Sequence, residues 1–86
     1  MNSRATEAFW RRFRELPPDI QKTSIRRFRQ WVTDPGHPSV RFKKIGDYWS
    51  ARAAPGYRAL GVMRDDTVIW FWIGNHDDYE DLPDRG

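Results

Sequence analysis

The sequence predicts an α+β domain in which two N-terminal helices pack on one antiparallel β-sheet. Apolar residues recur at helical spacing in the first 32 residues, strand-like runs follow from residue 40 to residue 73, and turn signals separate those runs. The chain has 86 residues, of which 38% are hydrophobic, which is enough for one core. We therefore expect a single domain covering residues 1–86.

Two helices are expected before the strands. Residues 3–16 carry an apolar stripe at spacing i, i+4 and i+7, formed by Phe9, Phe13 and Leu16. Pro17-Pro18 ends this helix, because proline lacks the amide hydrogen and disfavours helix in the residue before it. Pro18 also suits the first turn of a second helix that runs to about Val32. The short connection predicts a helical hairpin.

Four strands are expected to follow as an antiparallel meander. They are Val40–Ile45, Tyr48–Ala53, Tyr57–Arg64 and Thr67–Ile73. The last is nearly continuously apolar, which is typical of a strand buried on both faces, and Gly74 is expected to end it. With the hairpin on one face of the sheet, the opposite face is free to present Arg, Lys and Tyr side chains.

The charge is divided unevenly along the chain. Residues 1–46 carry eleven Lys and Arg against four Asp and Glu, whereas residues 47–86 carry four against eight, so the formal charges are +7 and −4. Such an asymmetry in charge creates an electrostatic field over the protein surface. A solvated surface would explain any single charge, but the basic half as a whole indicates an anionic partner.

Several classes of function are excluded by composition. The chain has no cysteine, so it has no disulfide, no thiolate zinc site and no thiol nucleophile. Metal-ligand spacings, phosphate-binding glycine loops and serine-nucleophile motifs are also missing, so neither a metal nor a cofactor is expected. The longest apolar run has six residues and the N-terminus lacks a secretory h-region. We expect a cytoplasmic protein without a membrane partner.

One group of residues could act on a phosphodiester. Cleavage of RNA by its own 2′-hydroxyl requires a base, an acid and cations near the phosphate. His76 follows the fourth strand after Gly74-Asn75, histidine in general can act as base or acid near neutral pH, and arginine grips a phosphate through two hydrogen bonds. The group consists of His76, Arg58, Arg64, Arg52, Lys43, Lys44 and Tyr79. The alternative is purely structural: His76 lies in a turn and Tyr79 covers the sheet edge.

Two segments carry a family resemblance. DPGHPSVRFKKIGDYWSARAAPGYRALGV and VIWFWIGNHDDYEDL closely resemble the RelE/ParE superfamily of bacterial type II toxins, and the RelE-like translational repressors best. The resemblance covers about residues 6–82. It implies a toxin neutralised by an antitoxin that is encoded beside it. RelE-like members cleave mRNA in the ribosomal A site, whereas ParE-like members poison DNA gyrase.

The resemblance implies roles for some residues of this chain, and some residues that it leads us to expect are missing. Arg58, in the motif GYR, matches an arginine that RelE-type nucleases use on the phosphate, and His76 stands where they place a C-terminal arginine or histidine. Tyr79 resembles their terminal tyrosine, with different spacing. Trp49 and Ala51 occupy positions where well-known RelE nucleases carry catalytic lysines. The usual strand before the helices is also expected to be missing here.

Three functions remain open at this point. The first is a ribosome-dependent mRNA endonuclease with catalytic Arg58 and His76, in which Lys43, Lys44, Arg52, Arg64 and Tyr79 bind RNA. The second is a non-enzymatic inhibitor of DNA gyrase, which the missing lysines favour. The third is an inactive toxin that serves only as a corepressor with its antitoxin.

Overall fold

The structure, a computed structural model, describes residues 2–75 and has two helices on one five-stranded sheet. The elements in chain order are β1 (Asn2–Ala5), α1 (Glu7–Arg14), α2 (Pro18–Thr33), β2 (Lys43–Ile45), β3 (Tyr48–Ala54), β4 (Tyr57–Arg64) and β5 (Thr67–Asn75). The strand order across the sheet is β1-β5-β4-β3-β2. The predicted α+β class is confirmed, with five strands where about four were expected.

The first strand is a correction to the sequence-based prediction. Residues 2–5 were expected to lie within or before the first helix, but they form β1, which runs parallel to β5 with Asn2 opposite Thr67. The sheet is therefore mixed, and the strand expected to be missing is present among the described residues. This four-residue polar edge strand has no hydrophobic alternation that would reveal it in the sequence. Its strand conformation depends on pairing with β5.

Local signals define both helices. The Thr6 hydroxyl accepts a hydrogen bond from the Phe9 amide at 3.1 Å and so caps the start of α1. Pro18 opens α2, as expected. α1 packs on β5 and α2 packs on β3, and the two helices contact the sheet more than each other. The two helices therefore stand apart over the same face of the sheet.

Two strand boundaries differ from the prediction. The first predicted strand begins at Lys43 instead of Val40, because Arg41 adopts a left-handed backbone with φ 50°. Gly74 does not end the last strand, since it lies within β5 opposite Arg58. A strand interior can contain glycine where another group closely approaches the backbone, and the Arg12 side chain approaches Gly74 in this way.

The core lies between the helices and the sheet and is rich in aromatic residues. Trp31 of α2 contacts Trp70 of β5, with ring centroids 5.4 Å apart, and Phe42 stacks on Trp49 at 4.6 Å. Small side chains at Ala51 and Ala59 make room for these rings. Such ring pairs add roughly 0.5–1.5 kcal/mol each beyond their area of burial. The aromatic stripes predicted for both helices therefore serve mainly to pack the core.

Candidate functional site

The candidate site lies on the face of the sheet that points away from the helices, called here the outer face. Directly paired residues of neighbouring strands project to the same face. Arg52 pairs with Arg58, Ser50 pairs with both Lys43 and Leu60, and Arg58 pairs with Gly74. Strand pairing thus places cations from β2, β3 and β4 on one surface.

Arg58 is held in position by a serine. Its Nη1 donates a hydrogen bond to the Ser50 Oγ at 3.2 Å, and Ser50 is completely buried. A buried partner restricts the side-chain rotamers of a long arginine. The donors of a guanidinium form a planar fork, the geometry that matches a phosphate. Ser50 is a residue that the sequence-based site did not include.

Arg12 brings another guanidinium to this surface from α1. Its Nε donates to the Ile73 carbonyl at 2.7 Å, and its guanidinium carbon lies 4.8 Å from the centre of the Trp72 ring. A Cβ atom on Gly74 would lie 2.7 Å from Arg12 Nη2. Gly74 therefore makes room for Arg12 at the end of β5, beyond the residues that pair with β1.

These contacts place three guanidinium groups in one line across the sheet. Arg12 lies over Gly74, Gly74 pairs with Arg58, and Arg58 pairs with Arg52. Neighbouring strands are about 4.8 Å apart, so the line spans roughly 10 Å. We call Arg12, Arg58 and Arg52 the arginine row. The sequence-based prediction placed Arg12 in no site. The available signal was Gly74, because a glycine inside an apolar strand indicates that another group closely approaches the backbone.

The centre of the outer face is apolar and buried. Leu60 and Trp72 are 2% and 7% exposed, although they point away from the helices. The expectation of a face free to present Arg, Lys and Tyr is therefore only partly correct. The cations surround an apolar centre.

Two other predicted site residues do not join the arginine row. Lys44 pairs with Trp49, so it leaves β2 on the side opposite to Lys43. Arg64 lies six residues from Arg58 at the far end of β4, about 20 Å along the strand. Both side chains are exposed. The structure therefore separates the predicted group into the arginine row with Lys43 and two outlying cations.

The remaining predicted residues have different outcomes. His76 and Tyr79 lie outside the described residues. Trp49 and Ala51, which stand where lysines were expected from the resemblance, belong to the helix side of the sheet: Trp49 stacks on Phe42 and Ala51 is in the core. Neither position could supply a cation to the outer face. Any such cation on β3 has to come from Arg52.

Neither a metal-binding cluster nor a membrane-spanning helix occurs among the described residues. Between residues 2 and 75, no group of three or more His, Cys, Asp or Glu side chains is placed to hold a metal ion. Over the same residues, neither helix is long and apolar enough to cross a membrane.

Comparison with known proteins identifies the fold. No family model and no curated protein matches the sequence. Among solved structures, the RelB-RelE antitoxin-toxin complex from Methanococcus jannaschii matches with a TM-score of 0.73 and 18% identity, over 93% of this chain and 99% of that one.

Two further structures agree with the first. The toxin-antitoxin complex RelBE2 from Mycobacterium tuberculosis matches with a TM-score of 0.66 and 22% identity, over 87% of this chain and 96% of that one. The isolated E. coli RelE toxin gives a TM-score of 0.63 and 14% identity, over 86% of this chain and 82% of that one. The predicted similarity is thus confirmed at the level of structure, and the chain has the fold of the RelE toxins.

Proposed function

We propose that this chain is the toxin of a type II toxin–antitoxin pair and that it cleaves mRNA on the ribosome. The observation that carries the proposal is the arginine row, on a fold that the RelE toxins share. Three guanidinium groups in a row of about 10 Å suit the repeated phosphates of a single RNA strand better than they suit one small anion.

Arg58 is the residue we assign to the scissile phosphate. The Ser50 hydroxyl accepts a hydrogen bond from this guanidinium, and a guanidinium that is held in place stabilises the charge that develops on the phosphate oxygens. Arg52 and Arg12 contact the flanking phosphates. Such pre-positioned donors favour the transition state because they need no reorganisation during the reaction.

Proton transfer is assigned to His76. It follows the end of β5 by one residue, and Arg58 pairs with Gly74 two residues before it. An imidazole in this part of the chain could protonate the leaving 5′-oxygen or deprotonate the 2′-hydroxyl. Lys43, Lys44 and Arg64 bind RNA farther from the scissile phosphate, and Tyr79 orients a base.

The partner in this proposal is an antitoxin. RelB is the antitoxin in the M. jannaschii complex, and the M. tuberculosis structure RelBE2 is also a toxin-antitoxin complex. The basic N-terminal half, with its formal charge of +7, is suited to an acidic protein as well as to RNA. A ribosome and its mRNA are the proposed target.

Inhibition of DNA gyrase is the second candidate function. It is favoured by one observation: the expected catalytic lysine positions hold Trp49 and Ala51, whose side chains lie on the helix side of the sheet. A corepressor without toxicity is the third. Both of these alternatives predict intact mRNA after expression of the protein.

Induced expression in a bacterial host distinguishes the three functions. The nuclease predicts rapid growth arrest and new mRNA 5′ ends, mapped across the transcriptome, at positions within ribosome-bound codons. Removal of a single pre-positioned donor lowers such rates by about 10²–10³. We therefore expect Arg58→Ala, and separately His76→Ala, to abolish both the arrest and the new ends.

Arg29→Ala is the matched control. It also removes one arginine, but from an exposed position on α2, and it should leave the arrest unchanged. Growth arrest with intact mRNA, together with inhibition of supercoiling by the purified protein, would replace the nuclease with the gyrase inhibitor. Normal growth would leave only the corepressor.

A further inference from the structure

Beyond the arginine row, the outer face carries a patch of half-buried apolar side chains. Strand alternation places Tyr48 of β3 and Val62 of β4 on the same face as the arginine row. Ile45 pairs with Tyr48 and Ile69 pairs with Val62, so these two side chains project in the same direction. We call the following five half-buried residues the outer patch: Ile45, Tyr48, Val62, Ile69 and Phe71.

Phe71 reaches the outer patch through an irregularity in β5. Leu60 pairs with Trp72 and Gly61 pairs with Trp70, so Phe71 is the extra residue of a β-bulge. A bulge redirects a side chain, and bulges are frequent beside functional sites. The Phe71 ring meets the Tyr48 ring at a steep angle, with centroids 5.3 Å apart. Aromatic rings from β5 and β3 therefore meet over β4, the strand that lies between them.

The outer patch and the arginine row lie at a defined distance from each other. Val62 is four residues from Arg58 on β4, which corresponds to about 13 Å along the strand. Positive charge is concentrated at the end of the surface that holds the arginine row. At the other end, Arg64 is followed by the exposed Asp65 and Asp66, so cations are not in excess there. A ligand that covers both features needs anionic groups over the row and flat apolar groups over the patch.

A single RNA strand has this combination of groups. Its phosphates are anionic, and every base has a π face that stacks on aromatic side chains. Proteins that bind single strands combine a positively charged track with aromatic rings for this reason. When one phosphate of the strand lies at Arg58, the bases of nucleotides a few positions away come within reach of Tyr48 and Phe71.

A second copy of this chain fits the outer patch less well. A stable interface between two proteins buries about 800 Å² of each partner. The five residues of the patch are all half-buried, and Leu60 and Trp72 beside them are only 2% and 7% exposed. The patch therefore offers much less apolar area than a dimer needs, whereas a few stacked bases need only a small surface.

We propose that the outer patch is a base-stacking platform for the RNA strand whose phosphates lie on the arginine row, and that Tyr48 and Phe71 contact the bases. This inference rests on the proposed function, because the strand is the one that Arg58 would cleave. Stacking accepts every base, so the platform raises affinity without requiring one sequence. Loss of a ring should therefore raise KM and leave kcat nearly unchanged, unlike loss of Arg58.

The test measures binding of a short RNA to the purified full chain by fluorescence anisotropy at one ionic strength. The strand carries 2′-O-methyl groups, which prevent cleavage by the 2′-hydroxyl. Tyr48→Leu and Phe71→Leu remove a ring and keep an apolar side chain, and we expect each to weaken binding at least about fivefold through loss of one stacked base. Tyr48→Phe keeps the ring and should bind like wild type.

An abasic strand separates stacking from phosphate contacts. It keeps the phosphates and lacks the bases, so wild type should bind it at least about fivefold more weakly than the RNA, and the ring variants should bind it as wild type does. This comparison needs no substitution in the protein, so it does not depend on how well a variant folds. Arg52→Gln should weaken binding of both strands and lower the salt dependence.

Phe28→Leu is the matched control for the ring variants. It makes the same change at a ring that is 42% exposed on α2, on the opposite side of the sheet. This variant should bind both strands like wild type. Thermal unfolding of each variant shows whether weaker binding reflects loss of the fold.

The outcomes separate this inference from the proposed function. If folded ring variants bind RNA as tightly as wild type, or if wild type binds the abasic strand equally well, the outer patch does not stack bases, and the proposed nuclease is unaffected. If wild type binds neither strand, the platform and the RNA contacts of the arginine row are both wrong. If ring variants lose affinity while expression leaves mRNA intact, the platform stands and the nuclease does not. A dimer in analytical ultracentrifugation that the ring variants dissociate would assign the outer patch to a second copy instead.

Discussion

Substitution of Gly61 tests the packing that separates the core from the outer face. Gly61 lies in β4 between Trp49 of β3 and Trp70 of β5. A Cβ atom there would lie 2.8 Å from Val68 Cγ1 and 3.0 Å from both the Ile69 carbonyl oxygen and Trp70 Cε3. Real Cβ atoms essentially never come as close to a neighbour as 2.8 Å, and contacts of 3.0 Å are tight, so Gly61→Ala must displace a side chain or the backbone.

The neighbours of Gly61 have little room to move. Val68 is completely buried and Trp70 is 5% exposed. Overpacking of a closed core costs roughly 1–3 kcal/mol. For a domain of this size, each kcal/mol lowers the melting temperature by about 4–8 °C, so a cost of about 2 kcal/mol corresponds to about 8–16 °C. Gly61→Ala should therefore unfold well below wild type.

Circular dichroism during heating measures this difference, and urea titration provides the free energy of unfolding. Gly36→Ala is the control, because the nearest atom to its added Cβ would be Asp34 Oδ1 at 3.8 Å. That substitution should leave stability unchanged or raise it by about 0.4–1 kcal/mol through the unfolded state. Equal melting temperatures for the two variants would refute the close packing of β4 on the tryptophans.

Two other substitutions test local backbone features. Thr6→Ala removes the hydroxyl that accepts the Phe9 amide; we expect a loss of about 1 kcal/mol in urea titration, and Thr6→Ser should restore most of it. Arg41 has a φ of 50°, so Arg41→Gly should gain up to about 1 kcal/mol from relief of left-handed strain, less the entropy of glycine in the unfolded chain. Arg29→Gly in the middle of α2 should instead lose about 1 kcal/mol, and a matching loss in both variants would count against strain at residue 41.

Most of the fold could be predicted because its signals are local. Helical periodicity and prolines locate α1 and α2, and alternation with turn residues locates β3 and β4. The strand β1 could not be predicted in this way, because Asn2–Ala5 is polar and its conformation depends on pairing with β5. Likewise, Gly74 continues a strand because Arg12 fills the space beside it, which is a tertiary contact.

The candidate site shows the same division between local and tertiary information. The strand-like runs and turn signals correctly predict that Arg52 and Arg58 lie on neighbouring strands. Pairing of β3 with β4 places the two residues directly opposite each other. Arg12 was missed because it reaches the outer face from a helix on the other side of the sheet.

The pairing of β1 with β5 also affects when the chain can fold during its own synthesis. Asn2–Ala5 leaves the ribosome well before its pairing partner Thr67–Trp70, because Asn2 and Thr67 are 65 residues apart in the chain. Contacts between segments so distant in sequence form late, because loop closure must precede them. We expect the nascent chain to lack its complete sheet, and the arginine row that crosses β5, until β5 has left the ribosome. The surface that carries the arginine row is therefore absent while the elements before β5 are being synthesised.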